Sequence, residues 1–372
     1  MSVIGKLDDL VVADGHNDLA WQLRVHYRYD FERANLGAGN PELHTDMPRL
    51  AEGKVGFQFW SAFVPSHLER DEAVIQTLEQ IDCIHRMVEK FPQLELVTSA
   101  EEAFSTMRSG KLAGMIGVEG GHSLGGSTGV LRIFRKLGVR YLTLTHNDNT
   151  EWAESATGEG PHAGLTTLGI HMVQELNDAG IIVDLSHVSE RAANLVLDHT
   201  TKPPILSHSN CLTLVDHPRN ASDDLIQRVA SQSGTVMLTF VPAFLNQDVS
   251  DYEAELSLIK KDLGFDLEYS DQQMTPEQGQ IEALRNWTNK NPAPKATISD
   301  VVKHINYARD LVGVDHLGIG GDFDGVDSTP VGLEDVSRYP VLAEALIQSK
   351  WTMADLHKLY YQNSLRVIRD NE

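Results

Sequence analysis

The chain has 372 residues, 41% of them hydrophobic, with 53 acidic against 31 basic side chains and a formal net charge of −22. That length and apolar share can bury a large core, whereas the acidity disfavours nucleic-acid backbones and anionic membrane surfaces as partners. Two cysteines, Cys83 and Cys211, are too few for a disulfide framework or a thiolate zinc site, and they read as reduced structural thiols.

In chain order, residues 1–10 carry no basic stretch followed by an apolar run and a small-residue cleavage site, so no export signal is expected. No apolar run approaches the ~20 residues that span a bilayer, and a cytoplasmic location is the expectation. Strands are predicted over 10–13, 56–64, 113–118, 141–145, 181–185, 204–207, 235–241 and 317–320, where apolar and β-branched residues run together. Helical periodicity fills much of the remainder, at 71–91, 127–137, 165–179, 190–199, 223–233 and 298–312. Eight strands alternating with helices favour parallel pairing and a closed (β/α)8 TIM-like barrel spanning residues 1–372 as one domain. A doubly wound open sheet is the alternative, but Gly120-Gly121 and Gly125-Gly126 do not make a nucleotide fingerprint between strand and helix. The polar, acidic stretch 246–294 separates the seventh and eighth strands and reads as an insertion over the barrel mouth or at a subunit contact. Residues 335–371 read as helix closing the outer ring.

Polar residues that can bind metal fall at the strand ends. His16 and Asp18 follow the first strand, Glu119 the third, His146 the fourth, His187 the fifth, His208 the sixth and Asp322 the eighth. In a barrel the C-terminal strand ends meet at one mouth, which makes these seven side chains one pocket. In Asp14-Gly15-His16-Asn17-Asp18, positions i and i+2 of an extended chain share a side, so His16 and Asp18 can grip one cation. Imidazole nitrogen beside carboxylate oxygen suits zinc or manganese better than calcium. Glu119 ends an apolar strand, where it needs a cation or the amides of the following glycine turn, and its two oxygens could bridge two ions. Asp184-Leu185-Ser186-His187 and Ile205-Leu206-Ser207-His208 each close a strand with Ser-His. Asp322, flanked by Gly320-Gly321, is the better base than Asp324; His146 could ligate, donate to an oxyanion or be structural. No G-x-S-x-G elbow is present, which leaves metal-assisted hydrolysis as the natural reaction class.

The ordered set Asp14–Asp18, Gln58-Phe59-Trp60, Glu119-Gly120-Gly121-His122, Tyr141 through His146 with Asn149, Asp184 through His187, Ser207-His208-Ser209, Arg219-Asn220 and Gly321 through Gly325 resembles the renal (membrane) dipeptidase family of zinc peptidases. The resemblance covers nearly the whole chain. It implies two zinc ions, with manganese or cobalt as substitutes: one on His16, Asp18 and Glu119, the other on Glu119, His187 and His208, with a bridging hydroxide between them. Asp322 would hold that water and carry its proton to the leaving amine, His146 would steady the tetrahedral intermediate, and Arg219 would pair with the C-terminal carboxylate of a small dipeptide. Substrates of the L-Xaa-L-Xaa type, and in some members L-Xaa-D-Xaa or β-lactams, are implied. His122 and His217 read as supporting or loop histidines. A homodimer is compatible with the reading, and a cytoplasmic microbial enzyme fits the absent anchor and disulfide set. Two other readings stand beside it: a cyclic-amide or ester hydrolase of the amidohydrolase kind, and a catalytically silent metal-binding protein. The first commonly begins with H-x-H, where this chain has His16-x-Asp18; the second would have lost ligands, and none is missing.

Overall fold

The side chains of a strand alternate between its two faces, so a barrel sorts them into an interior set and a set beneath the helices. The structure, a computed structural model, describes residues 10–265 and 278–372. Its strands are β1 (Val12–Asp14), β2 (Val55–Phe63), β3 (Leu94–Leu96), β4 (Leu112–Glu119), β5 (Val139–Thr143), β6 (Ile182–Asp184), β7 (Ile205–Leu206), β8 (Thr235–Leu238) and β9 (Leu317–Ile319). Eight of them close a parallel barrel in the order β1, β2, β4, β5, β6, β7, β8, β9, with β9 pairing back onto β1. Ala13, Phe57, Phe59, Met115, Tyr141, Ile205 and Met237 cluster inside it, while Trp60, Ile116, Val118 and Leu142 belong to the larger core under the helices.

The expected eight-strand barrel therefore stands, with one element added. β3 is only three residues long, too short for period-two alternation to reveal in the sequence. It pairs with Leu112–Gly114 of β4, while β5 takes Ile116–Glu119 further along the same strand. The strand expected over 235–241 stops at Leu238, because Pro242 opens the short helix Pro242–Leu245 with Val241 as its cap.

Helices predicted at 190–199 and 298–312 occur as Glu190–His199 and Ile298–Val312, and that at 71–91 as Arg70–Lys90. Serines stop the chain in extended form just before several of them. Ser127, Ser189 and Ser222 each accept a hydrogen bond from the amide three residues on. Between β8 and β9 lie the helices Gln247–Asp262 and Gln278–Lys290, with the Tyr252 and Trp287 rings 5.4 Å apart and tilted at 36°. The rest of the expected insertion at 246–294 includes residues 266–277, which lie outside the described residues, as do residues 1–9 of the N-terminal stretch. The C-terminal stretch is helical in pieces: Tyr339–Gln348, Met353–His357, a π-helical turn at Lys358–Gln362 and Asn363–Asn371. Asn363 Nδ2 donates to the carbonyls of Val314 and Leu317, tying the last helix to β9. Among the described residues, no helix is long and apolar enough to cross a membrane.

Candidate metal centre

Strand parity carries Glu119 to the barrel mouth. Ala113 and Met115 face the interior, so Gly117 and Glu119 continue the same row, and Glu119 is the last residue of β4. Gly117 has a steric reason: a Cβ there would lie 2.0 Å from Tyr141 Cζ on the neighbouring strand. The space it leaves admits the Tyr141 ring, whose hydroxyl sits 2.7 Å from His16 Nδ1.

The two oxygens of Glu119 face different histidines. Oε2 is 3.4 Å from His16 Nε2, whereas Oε1 is 3.1 Å from His187 Nε2 and 3.4 Å from His208 Nε2. His16 Nε2 also lies 3.3 Å from Asp18 Oδ2 and 3.9 Å from Asp322 Oδ1. Three overlapping groups have donor atoms within 4.8 Å of one another: His16, Glu119 and His208; Glu119, His146 and His187; His16, Asp18 and Asp322. All seven expected strand-end residues thus meet at one mouth, although the groups cut across the two ligand sets implied by the family resemblance. His146 is drawn into a group with Glu119 and His187, its ring 4.4 Å from His187 and 4.6 Å from Phe63.

A buried carboxylate aligns one of the histidines. Asp184 Oδ2 accepts from Thr143 Oγ1 at 2.6 Å and from Ser207 Oγ at 2.7 Å. Ser207 spends its only hydrogen there, so its oxygen accepts from His208 Nδ1 at 2.7 Å and leaves the Nε2 lone pair facing Glu119. Asp14 acts similarly on the loops: it accepts from the amides of His16 and Gly321 and from the Tyr339 hydroxyl, joining the first and last strand ends. His187 and Asp322 both have positive φ, 65° and 61°, conformations that non-glycine residues hold only where the surroundings enforce them. Gly325 keeps the space between Asp18 and Asp322 open, since a Cβ there would fall 2.4 Å from both Asp18 Oδ2 and Asp322 Oδ1.

The electrostatics are those of a cation cradle. Burial raises the pKa of Glu119, with Asp18 adding to the shift and His16 opposing it. Burial also lifts Asp322 well above the usual carboxylate range; His16 opposes the shift, while Asp18 and Glu119 reinforce it. Burial holds His146, His187 and His208 well below the ordinary imidazole range, so all three are neutral and offer lone pairs. Buried His16 Nε2 and Asp18 Oδ1 have no hydrogen-bond partner. Unsatisfied lone pairs and three converging carboxylates are costly unless a cation joins them, so the residues fit a bound divalent metal.

A cavity of about 640 Å³ opens over these groups, and Arg219 forms part of its wall. Arg219 is 6% exposed and makes no ion pair with a carboxylate among the described residues; its Nη2 donates to the His208 carbonyl at 3.5 Å. Burial lowers its pKa to about 10, still cationic at neutral pH. His122 turns away and bonds the Val64 carbonyl, and Asp324 accepts from the His44 amide, so both are structural. Asn149 braces its own loop through Ser155 N and the Glu159 carbonyl. The sequence reading did not single out Tyr141 as a support for His16, nor Trp21, Phe63 and Phe244 as cavity walls. For Tyr141 the available signal was Gly117, its register partner on the neighbouring strand; for the others there was none.

Comparison with known proteins agrees with this geometry. A family model described as membrane dipeptidase (peptidase family M19) matches residues 6–372. Dipeptidase tcpJ of Claviceps purpurea is 36% identical across 96% of this chain and 76% of its own length. Dipeptidase 3 of Rattus norvegicus is 38% identical across 98% of the chain, which spans 66% of that relative. Among solved structures, the probable dipeptidase PvdM from Pseudomonas aeruginosa aligns with a TM-score of 0.84 at 25% identity, covering 99% of this chain and 97% of that one.

Proposed function

The chain belongs to the membrane dipeptidase family of metallopeptidases, and on that premise we propose that it is a binuclear dipeptidase acting on free dipeptides. The observation that carries the proposal is the division of Glu119, whose Oε2 faces His16 while Oε1 faces His187 and His208. A carboxylate set this way can join two ions, with His16 and Asp18 on one side and His187 and His208 on the other. Zinc suits the nitrogen and oxygen donors, and manganese or cobalt could take the same ligands. When bound, such a pair supplies Lewis acidity and a water acidified toward neutrality.

The remaining steps belong to the protein. Asp322, on the rim of the same cavity, takes the proton of the attacking water and delivers it to the departing amine. Its raised pKa suits a group that must hold a proton between the two events. His146 is only partly buried, unlike the ligand candidates, and faces the cavity, which favours donation to the developing oxyanion over metal binding. Arg219 pairs with the terminal carboxylate, because a buried guanidinium fork with no carboxylate partner among the described residues matches a carboxylate bidentately. The distance from that charge to the cleaved bond would then limit substrates to dipeptides.

Metal content per chain, measured with turnover of L-L and L-D dipeptides, tripeptides and C-terminal amides, tests the proposal. About two ions per chain and turnover of free dipeptides alone is the expected result. Equal turnover of tripeptides would remove the carboxylate limit, and a chain that takes up no metal would end the mechanism.

A further inference from the structure

One donor beside Arg219 has no task in this scheme. We propose that His217 donates its Nε2 hydrogen to the same substrate carboxylate, so that imidazole and guanidinium form a two-residue clamp. The proposal deepens the reading of Arg219 above and rests on it.

Geometry sets the tautomer. The backbone amide of Arg219 donates to His217 Nδ1 at 3.1 Å, which requires a lone pair on that nitrogen and leaves the ring hydrogen on Nε2. Among the described residues Nε2 has no hydrogen-bond partner, and the ring lines the same cavity as Arg219. Phe244 fixes both groups. The His217 ring lies 4.5 Å from it at 38°, and the Arg219 guanidinium carbon stands 5.3 Å over the same face-bearing ring. The turn is rigid as well: Asn220 N donates to the His217 carbonyl, and Asn220 Nδ2 donates to the carbonyls of Val215 and Phe244. Burial and the Arg219 charge lower the His217 pKa to about 4, so the ring remains a neutral donor at working pH. A neutral donor beside Arg219 strengthens carboxylate binding without a second cation repelling the first.

The test compares kcat/KM for a free dipeptide and its C-terminal amide, with kcat and KM read separately, in Arg219→Ala and three His217 variants. His217→Phe keeps the ring on Phe244 but has no polar atom. His217→Gln carries a donor out to the Nε2 position, whereas His217→Asn keeps an acceptor for the Arg219 amide while its own N–H donors stop short of the Nε2 position. The acid-to-amide ratio is expected to fall about tenfold in His217→Phe through KM for the free acid, at unchanged metal content. Gln should restore most of the ratio and Asn little. A wild-type ratio in His217→Phe, or recovery by Asn and not by Gln, would reduce His217 to a prop for the turn. If Arg219→Ala lowers the ratio and His217→Phe does not, this inference alone falls; if neither does, the carboxylate role of Arg219 falls with it.

Discussion

Ser186-His187 and Ser207-His208 are the same phrase at the ends of adjacent strands, yet the fold treats the two histidines differently. His208 is aligned through its ring: Nδ1 meets Ser207, and Ser207 meets buried Asp184. His187 is held through its backbone, its carbonyl accepting from the Ala156 amide and Thr145 Oγ1, while its buried Nδ1 has no partner. Ser186 does not serve its own neighbour; its hydroxyl accepts from the His208 amide. Both serines and the aspartate between the strands therefore support one histidine, Ser207 and Asp184 at its ring and Ser186 at its backbone. The lesson is that a repeated motif can divide its labour, with one copy braced in ring orientation and the other set by a positive-φ backbone.

The largest effect on this comparison comes from removing the group common to both histidines. Glu119→Gln should release metal from both sides and abolish turnover, read as metal per chain after gel filtration; retention of both ions with full activity would refute a shared carboxylate. Asp322→Asn leaves both histidines in place, and it should keep metal while kcat falls by about 10²- to 10⁴-fold. An unchanged kcat would take the proton carrier elsewhere. Ser207→Ala breaks the ring brace of His208, and chelator competition should register a loss of about 10- to 100-fold in metal affinity. Ser186→Ala, which removes a hydroxyl that meets the His208 amide and the Ser209 hydroxyl but no imidazole, should cost markedly less, and equal losses would erase the distinction between the two phrases. The smallest effect serves as the control for folding. Burial raises the Cys83 and Cys211 thiols to about 12, so both stay protonated and should resist a thiol reagent at pH 8 in every variant, reacting only after denaturation.

The barrel was legible because its signal is long: eight apolar stretches alternating with segments of helical periodicity. β3 was not, since three residues carry no period. The site residues were legible as strand ends, because parity carries Glu119 to the mouth and barrel topology places His187 and His208 just past the ends of β6 and β7, with a positive-φ turn setting His187. How the atoms divide was hidden. Asp184 takes the backbone amides of both serines but the hydroxyl of Ser207 alone, a division that arises where β6 and β7 meet with only Asp184 and Ile205 in register. The cavity wall was hidden as well, because Phe244 reaches it only when β8 ends early and Pro242 turns the chain.

The contact between Gly117 and Tyr141 also constrains how this chain can change. A side chain at position 117 would expel the phenol ring and withdraw its hydroxyl from His16. A smaller residue at 141 would instead leave an empty slot that a later, larger residue at 117 could occupy. The two positions form an ordered pair, in which replacement at 141 opens a route to replacement at 117 and the reverse order passes through a damaged barrel.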